Sequence, residues 1–78
     1  MIRVKLYGLL RVESGIRELD LEVSSVRQMK QQLLGRTDRI TRKDLDGCIV
    51  LVNGGPANGK TKLKDGDEVQ LLSPVAGG

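Results

Sequence analysis

The sequence predicts a small α+β domain, a mixed sheet of four to five strands packed on one main helix, and three observations lead there. Apolar and charged residues alternate over 2–7 and again over 18–23, the period of half-buried strands. Between 26 and 33 the apolar positions switch to helical spacing. After that segment come two more apolar stretches, at 48–52 and 69–72, each bounded by turn residues. At 78 residues the chain can build one core and no second one.

The elements follow in order. Ile2, Val4 and Leu6 alternate with Arg3, Lys5 and Tyr7, so the first strand has one buried face. Leu19, Leu21 and Val23 alternate with Glu18, Asp20 and Glu22 in the same way. Ser14-Gly15 lies between them, and the two strands are expected to form an antiparallel hairpin around a loop of several residues. Ser25 followed by Gln28 resembles a capping box, and Val26, Met29 and Leu33 then share one helical face. Gly35 is the expected stop, giving a helix of about 10 residues that tertiary packing must hold.

Residues 36–47 are charged and irregular, with one helical turn expected near 41–45 before Gly47. Cys48-Ile49-Val50-Leu51-Val52 is apolar throughout, which reads as a central strand covered on both faces, one by the helix and the other by a loop or a second protein. An Asn53–Gly59 loop, a short strand around Leu63, a turn at Asp65-Gly66 and a last strand through Val69, Leu71 and Leu72 complete the list. This order closes into the ubiquitin-like β-grasp arrangement, with the first and last strands expected side by side at the centre. Residues 1–73 are the expected domain and 74–78 a flexible C-terminal diglycine tail.

That tail is the most informative stretch of the chain. Gly77 and Gly78 have no side chains, so the last backbone atoms can enter a narrow active site, and the reactive group is then the Gly78 carboxylate. Pro74 stiffens the exit from the last strand. Composition removes competing chemistries. There is no histidine, which takes away Ser-His and Cys-His nucleophile pairs, and one cysteine, which forbids an internal disulfide and a Cys-rich zinc site. No signal peptide or long apolar run is visible, so a cytoplasmic location without membrane contact is expected. A net charge of +3 with a single aromatic, Tyr7, gives nucleic acid no stacking platform. Arg36, Arg39, Arg42 and Lys43, and separately Lys60, Lys62 and Lys64, are read as solvated runs, with steering toward an acidic partner as the alternative.

Val52-Asn53-Gly54 after a buried strand, Leu63 leading into Asp65-Gly66-Asp67-Glu68-Val69, and the ending Pro74-Val75-Ala76-Gly77-Gly78 match in order and spacing a known pattern. The sequence resembles the small sulfur-carrier proteins of the MoaD/ThiS family over essentially its whole length, and molybdopterin synthase small subunits in particular. The resemblance implies a carrier that binds no cofactor of its own. A ubiquitin-activating-type adenylating enzyme would use ATP to turn the Gly78 carboxylate into an acyl adenylate, and a sulfur donor would replace AMP to leave a thiocarboxylate. A molybdopterin synthase large subunit, or another acceptor enzyme, would then receive the sulfur. Many molybdopterin-type carriers have aromatic residues in the last strand, where this chain has Leu71-Leu72-Ser73. Two alternatives stay open: a ubiquitin-like modifier joined through Gly78 to lysines, or a sulfur carrier for thiamine or another pathway. A plain interaction module with incidental terminal glycines is a third class.

Other candidates are weaker. Gly54 to Thr61 fits G-x-x-x-x-G-K-[ST], but a phosphate cradle needs a helix starting at the lysine, and Asp65-Gly66 follows too soon. Cys48 reads as a small buried hydrophobe and Asp65, Asp67 and Glu68 as turn residues. Tyr7 and Leu72 point outward by parity. With one face of 48–52 they can form an apolar docking surface, and Pro74, Val75 and Ala76 are expected to contact the partner beside it.

Overall fold

The computed structural model describes residues 1–73. Its elements are β1 (Ile2–Tyr7), α1 (Gly8–Ser14), β2 (Glu18–Leu21), α2 (Val26–Arg36), α3 (Arg42–Asp46), β3 (Ile49–Val52), β4 (Gly55–Pro56) and β5 (Glu68–Leu72). They build a five-stranded mixed sheet in the order β2-β1-β5-β3-β4. β1 and β5 run parallel at the centre, with Val4 opposite Val69 and Leu6 opposite Leu71, as expected for first and last strands. β2 is antiparallel to β1 and β3 antiparallel to β5.

One cluster of buried apolar residues holds these elements together. The strands supply Ile2, Val4, Leu6, Leu21, Val50, Val69 and Leu71, and the helices supply Leu10, Val26, Met29, Leu33 and Leu45. No polar or charged side chain is buried among the described residues, so the core has no desolvation cost to offset.

α2 begins as its sequence asks, with one shift. Ser25 Oγ accepts from the Gln28 N–H at 3.2 Å, while Gln28 Oε1 reaches past Ser25 to accept from the Ser24 N–H at 2.8 Å. The two free N–H groups of the first turn, on Val26 and Arg27, donate to the carbonyls of Thr61 and Gly59 at 3.0 and 3.1 Å. α3 has the reciprocal capping box: Asp44 N–H donates to Thr41 Oγ1 and Thr41 N–H donates to Asp44 Oδ2.

Four expectations need correction. The β1–β2 connection is a helix, not a loop: Leu10 buries against the core and so ties down a segment that also exposes Leu9 and Val12. Gly35 does not stop α2, which runs through it to Arg36 and ends at Thr37. Leu33 and the flanking Leu34 pack against the core, and that packing outweighs the roughly 1 kcal/mol that an interior glycine costs. β3 is not central and not covered on both faces; it lies second from the edge, and Ile49 stays 54% exposed. The short strand sits at Gly55–Pro56, whereas Lys62 beside Leu63 makes only an isolated bridge to Ser25.

The Asn-Gly pair of Val52-Asn53-Gly54 makes the β3–β4 turn. Asn53 and Gly54 carry φ of +50° and +84°, the left-handed values that a two-residue hairpin with this twist requires. Asn53 also reaches the turn before β5, donating from Nδ2 to Asp67 Oδ1 at 2.9 Å and accepting the Glu68 N–H on Oδ1 at 3.0 Å. Two stretches that the sequence presents separately are thus one structural unit.

Candidate functional site

The sheet has an inner face against the helices and an outer face without helical cover. Strand register sorts the outer face into rows. In the middle, Lys5 lies opposite Gln70 and Gln70 opposite Leu51. At one end Arg3 lies opposite Glu68 and Asp20, with Arg3 Nε 3.3 Å from Asp20 Oδ1 and Lys5 Nζ 3.0 Å from Glu68 Oε1. Glu68 raises the Lys5 pKa through that hydrogen bond and its charge. At the other end Tyr7 lies opposite Leu72 and Leu72 opposite Ile49.

The outer face is therefore polar at one end and apolar at the other. The apolar end is the one at which β5 finishes. Tyr7 is 36% and Ile49 54% exposed, with Leu72 half-buried between them. The three stand at adjoining register positions on neighbouring strands and so line one apolar strip across three strands. Tyr7 and Leu72 fall together as parity predicts. Ile49 comes from the predicted apolar run, but its adjacency to Leu72 depends on register, which the sequence does not print.

Gly77, Gly78, Pro74, Val75 and Ala76 lie outside the described residues. What is described is the point from which they start: Ser73, next to Leu72 at the apolar end of the sheet.

The remaining candidates divide cleanly. Cys48 is half-buried, its thiol donates to the Leu45 carbonyl at 2.9 Å, and burial pushes its pKa up, with the charge of Lys30 pulling the other way. A thiol so held is a poor nucleophile. Asp67 is held below the usual carboxylate range by the Lys64 N–H and then by the Asn53 amide, the signature of a turn carboxylate. The Gly59–Thr61 stretch of the P-loop-like motif turns carbonyls, not N–H groups, toward the start of α2. Those carbonyls would repel a phosphate. On the opposite side of the molecule Arg27, Lys30 and Arg42 share an open concavity of about 550 Å³ with Asp46; of the two basic runs singled out in the sequence, Arg42 alone contributes to it.

The match to the ThiS family model runs over residues 4–78, from β1 through the terminal glycines. The chain belongs to the ThiS family. A proposed sulfur carrier protein of Archaeoglobus fulgidus is 31% identical over 84 residues, an alignment spanning 88% of this chain and 96% of that one. Among solved structures this ThiS-family chain is similar to small archaeal modifier protein 1 of Haloferax volcanii, with a TM-score of 0.86, 26% identity and coverage of 99% of this chain and 98% of that one. It is also similar to a Pyrococcus furiosus protein described as a molybdopterin converting factor subunit 1, with a TM-score of 0.80, 25% identity and coverage of 95% and 97%. These likenesses establish the ubiquitin-like β-grasp fold that the sequence predicts.

Proposed function

We propose that this ThiS-family protein is a sulfur carrier whose reactive group is the Gly78 carboxylate. The observation that carries the reading is that the family match continues to residue 78 and so takes in Gly77 and Gly78. A carboxylate is a poor electrophile, and activation is needed before anything can be attached to it. In the proposed sequence the Gly78 carboxylate attacks the α-phosphorus of ATP on a ubiquitin-activating-type enzyme, releasing pyrophosphate and forming an acyl adenylate. A hydrosulfide-level sulfur donor then adds to the carbonyl and expels AMP, leaving a thiocarboxylate whose sulfur is nucleophilic near neutral pH. The carrier contributes the carboxylate and a surface, and the partner contributes the catalytic groups. The Tyr7–Leu72–Ile49 strip, with Pro74, Val75 and Ala76 following it in sequence, is the proposed contact with both the activating enzyme and the acceptor enzyme.

For the acceptor, likeness to the Pyrococcus furiosus molybdopterin converting factor subunit supports a pterin precursor in molybdenum or tungsten cofactor synthesis. Likeness to the Haloferax volcanii modifier protein supports a second reading, in which the activated Gly78 is joined to lysines of other proteins. The two share every step up to the adenylate.

The deciding measurement is the intact mass of protein purified from its native host under mild conditions, with alkylation to trap a thiocarboxylate. Replacement of one oxygen by sulfur, localised to the fragment ending in Gly78, is the expected result. Isopeptide-linked conjugates ending in Gly78, with no thiocarboxylate, would replace the carrier reading by the modifier reading.

A further inference from the structure

α1 receives no cap from the residue before it. Tyr7 leads into the helix in extended conformation and offers no side-chain hydrogen bond. The cap comes instead from the other end of the chain. Leu9 N–H donates to Ser73 Oγ at 2.8 Å, and Ser73 Oγ donates to the Tyr7 carbonyl at 3.5 Å. The hydroxyl fits there because position 8 has no side chain: a Cβ on Gly8 would overlap Ser73 Oγ, and Gly8 holds φ of +63°. Two unusual choices, a left-handed glycine and a serine just past the last strand, thus meet at one point.

That point is where the parallel β1–β5 ladder stops. Its last register pair is Tyr7 with Leu72, so Ser73 has left the sheet, and its side chain is what still ties it to Tyr7 and Leu9. The five residues after Ser73 span at most about 17 Å when fully extended. A shift in their starting point shifts the region that the carboxylate can reach within that length, and reaction rates fall steeply with misplacement of reacting atoms.

We propose that Ser73, seated in the slot left by Gly8, is a positioning residue for activation of the Gly78 carboxylate. The inference rests on the carrier reading above. The hydroxyl fixes the place and direction from which residues 74–78 depart, and so raises the fraction of docked complexes in which the carboxylate meets ATP. It acts through geometry and touches no reacting atom. Docking itself depends on the Tyr7–Leu72–Ile49 strip, which a change at Ser73 leaves in place. A positioning role therefore predicts a loss in kcat without a matching rise in KM.

The test is ATP–pyrophosphate exchange by the purified adenylating enzyme of the same host, with the full-length carrier as the varied substrate. Ser73→Ala is expected to lower kcat about tenfold with KM for the carrier within about twofold of wild type. Ser73→Thr, which keeps the hydroxyl, is expected to restore most of the rate. Amide hydrogen exchange provides a readout independent of the enzyme: the Leu9 N–H should exchange faster in Ser73→Ala while the β1–β5 amides stay protected. If Ser73→Ala melts below the assay temperature, Ser73→Cys, close in size and a weak acceptor, should show the same split between kcat and KM. Wild-type carrier that supports no exchange, with an enzyme active on another carrier, overturns both the carrier reading and this inference. Wild-type carrier that is activated while Ser73→Ala matches it, or differs only in KM, overturns the positioning role alone.

Discussion

Asn53 shows how one residue can serve two functions at once. Its backbone takes a φ that side chains rarely adopt, and its amide ties the β3–β4 turn to the turn before β5. Asn53→Gly keeps the turn and loses the bridge, whereas Asn53→Ala loses both, so Ala is expected to cost about 1–3 kcal/mol and Gly less, read from urea unfolding. The bridge also predicts a pH effect. The folded-state pKa of Asp67 is depressed, so its contribution is present above the unfolded carboxylate value and is lost as pH falls through the folded value. Melting temperature should drop on acidification below about pH 4, and the drop should be shallower in Asn53→Ala, which lacks one of the two groups that donate hydrogen bonds to the carboxylate. At Gly8 the neighbouring Ser73 hydroxyl and the positive φ act together. Gly8→Ala is expected to destabilise by about 1–3 kcal/mol, where an exposed glycine in ordinary conformation would tolerate alanine.

At the scale of elements, the two faces of the sheet differ in what they contribute. Leu21 on the inner side of β2 is 1% exposed, whereas Leu51 on the outer side of β3 is half-buried opposite Gln70. Leu21→Ala should therefore cost about 2–5 kcal/mol and Leu51→Ala about 1 kcal/mol, measured by chemical denaturation of the two variants side by side. Equal costs would mean that the outer face is covered in solution. The helices divide in a similar way. α2 is legible because its apolar spacing, its cap and its length agree, while α1 escapes sequence reading because one buried residue, Leu10, fixes it and Leu9 and Val12 stay exposed. Its Gly8 and Ser14-Gly15 boundaries are equally good loop signals. α3 depends on its reciprocal box, and Thr41→Ala should cost about 0.5–2 kcal/mol by removing one half of it.

For the whole molecule the parallel pairing of β1 with β5 has the largest functional consequence. It places the end of β5 beside Tyr7, in the middle of the sheet, so the C-terminal segment starts from a strand bonded on both sides. Domain stability and reactivity at Gly78 should then separate. Deleting Gly78 is expected to leave the melting temperature within about a degree or two and to abolish activation by the adenylating enzyme. Replacing Ile49 by Asp, on the exposed strip, should weaken association with that enzyme about tenfold or more while changing stability little, as titration calorimetry would show. A variant that binds normally would remove Ile49 from the docking surface.

Much of this protein was legible before its structure. Alternation at Ile2–Leu6 and Leu19–Leu21, the helical face of Val26, Met29 and Leu33, and the Asn-Gly turn are local patterns, and each reports a preference of the backbone or of a single face toward water. The Gly77-Gly78 end is chemical information of the same local kind. Strand order, register and closeness of distant residues are set by packing among elements, which no single stretch encodes. The structure alone therefore decided that β3 lies off-centre with Ile49 exposed, that Gly59 and Thr61 cap α2, and that Tyr7, Leu72 and Ile49 form one strip. It alone brought Ser73 to Gly8, residues 65 positions apart, because only the parallel β1–β5 pairing carries the two strand ends to the same place.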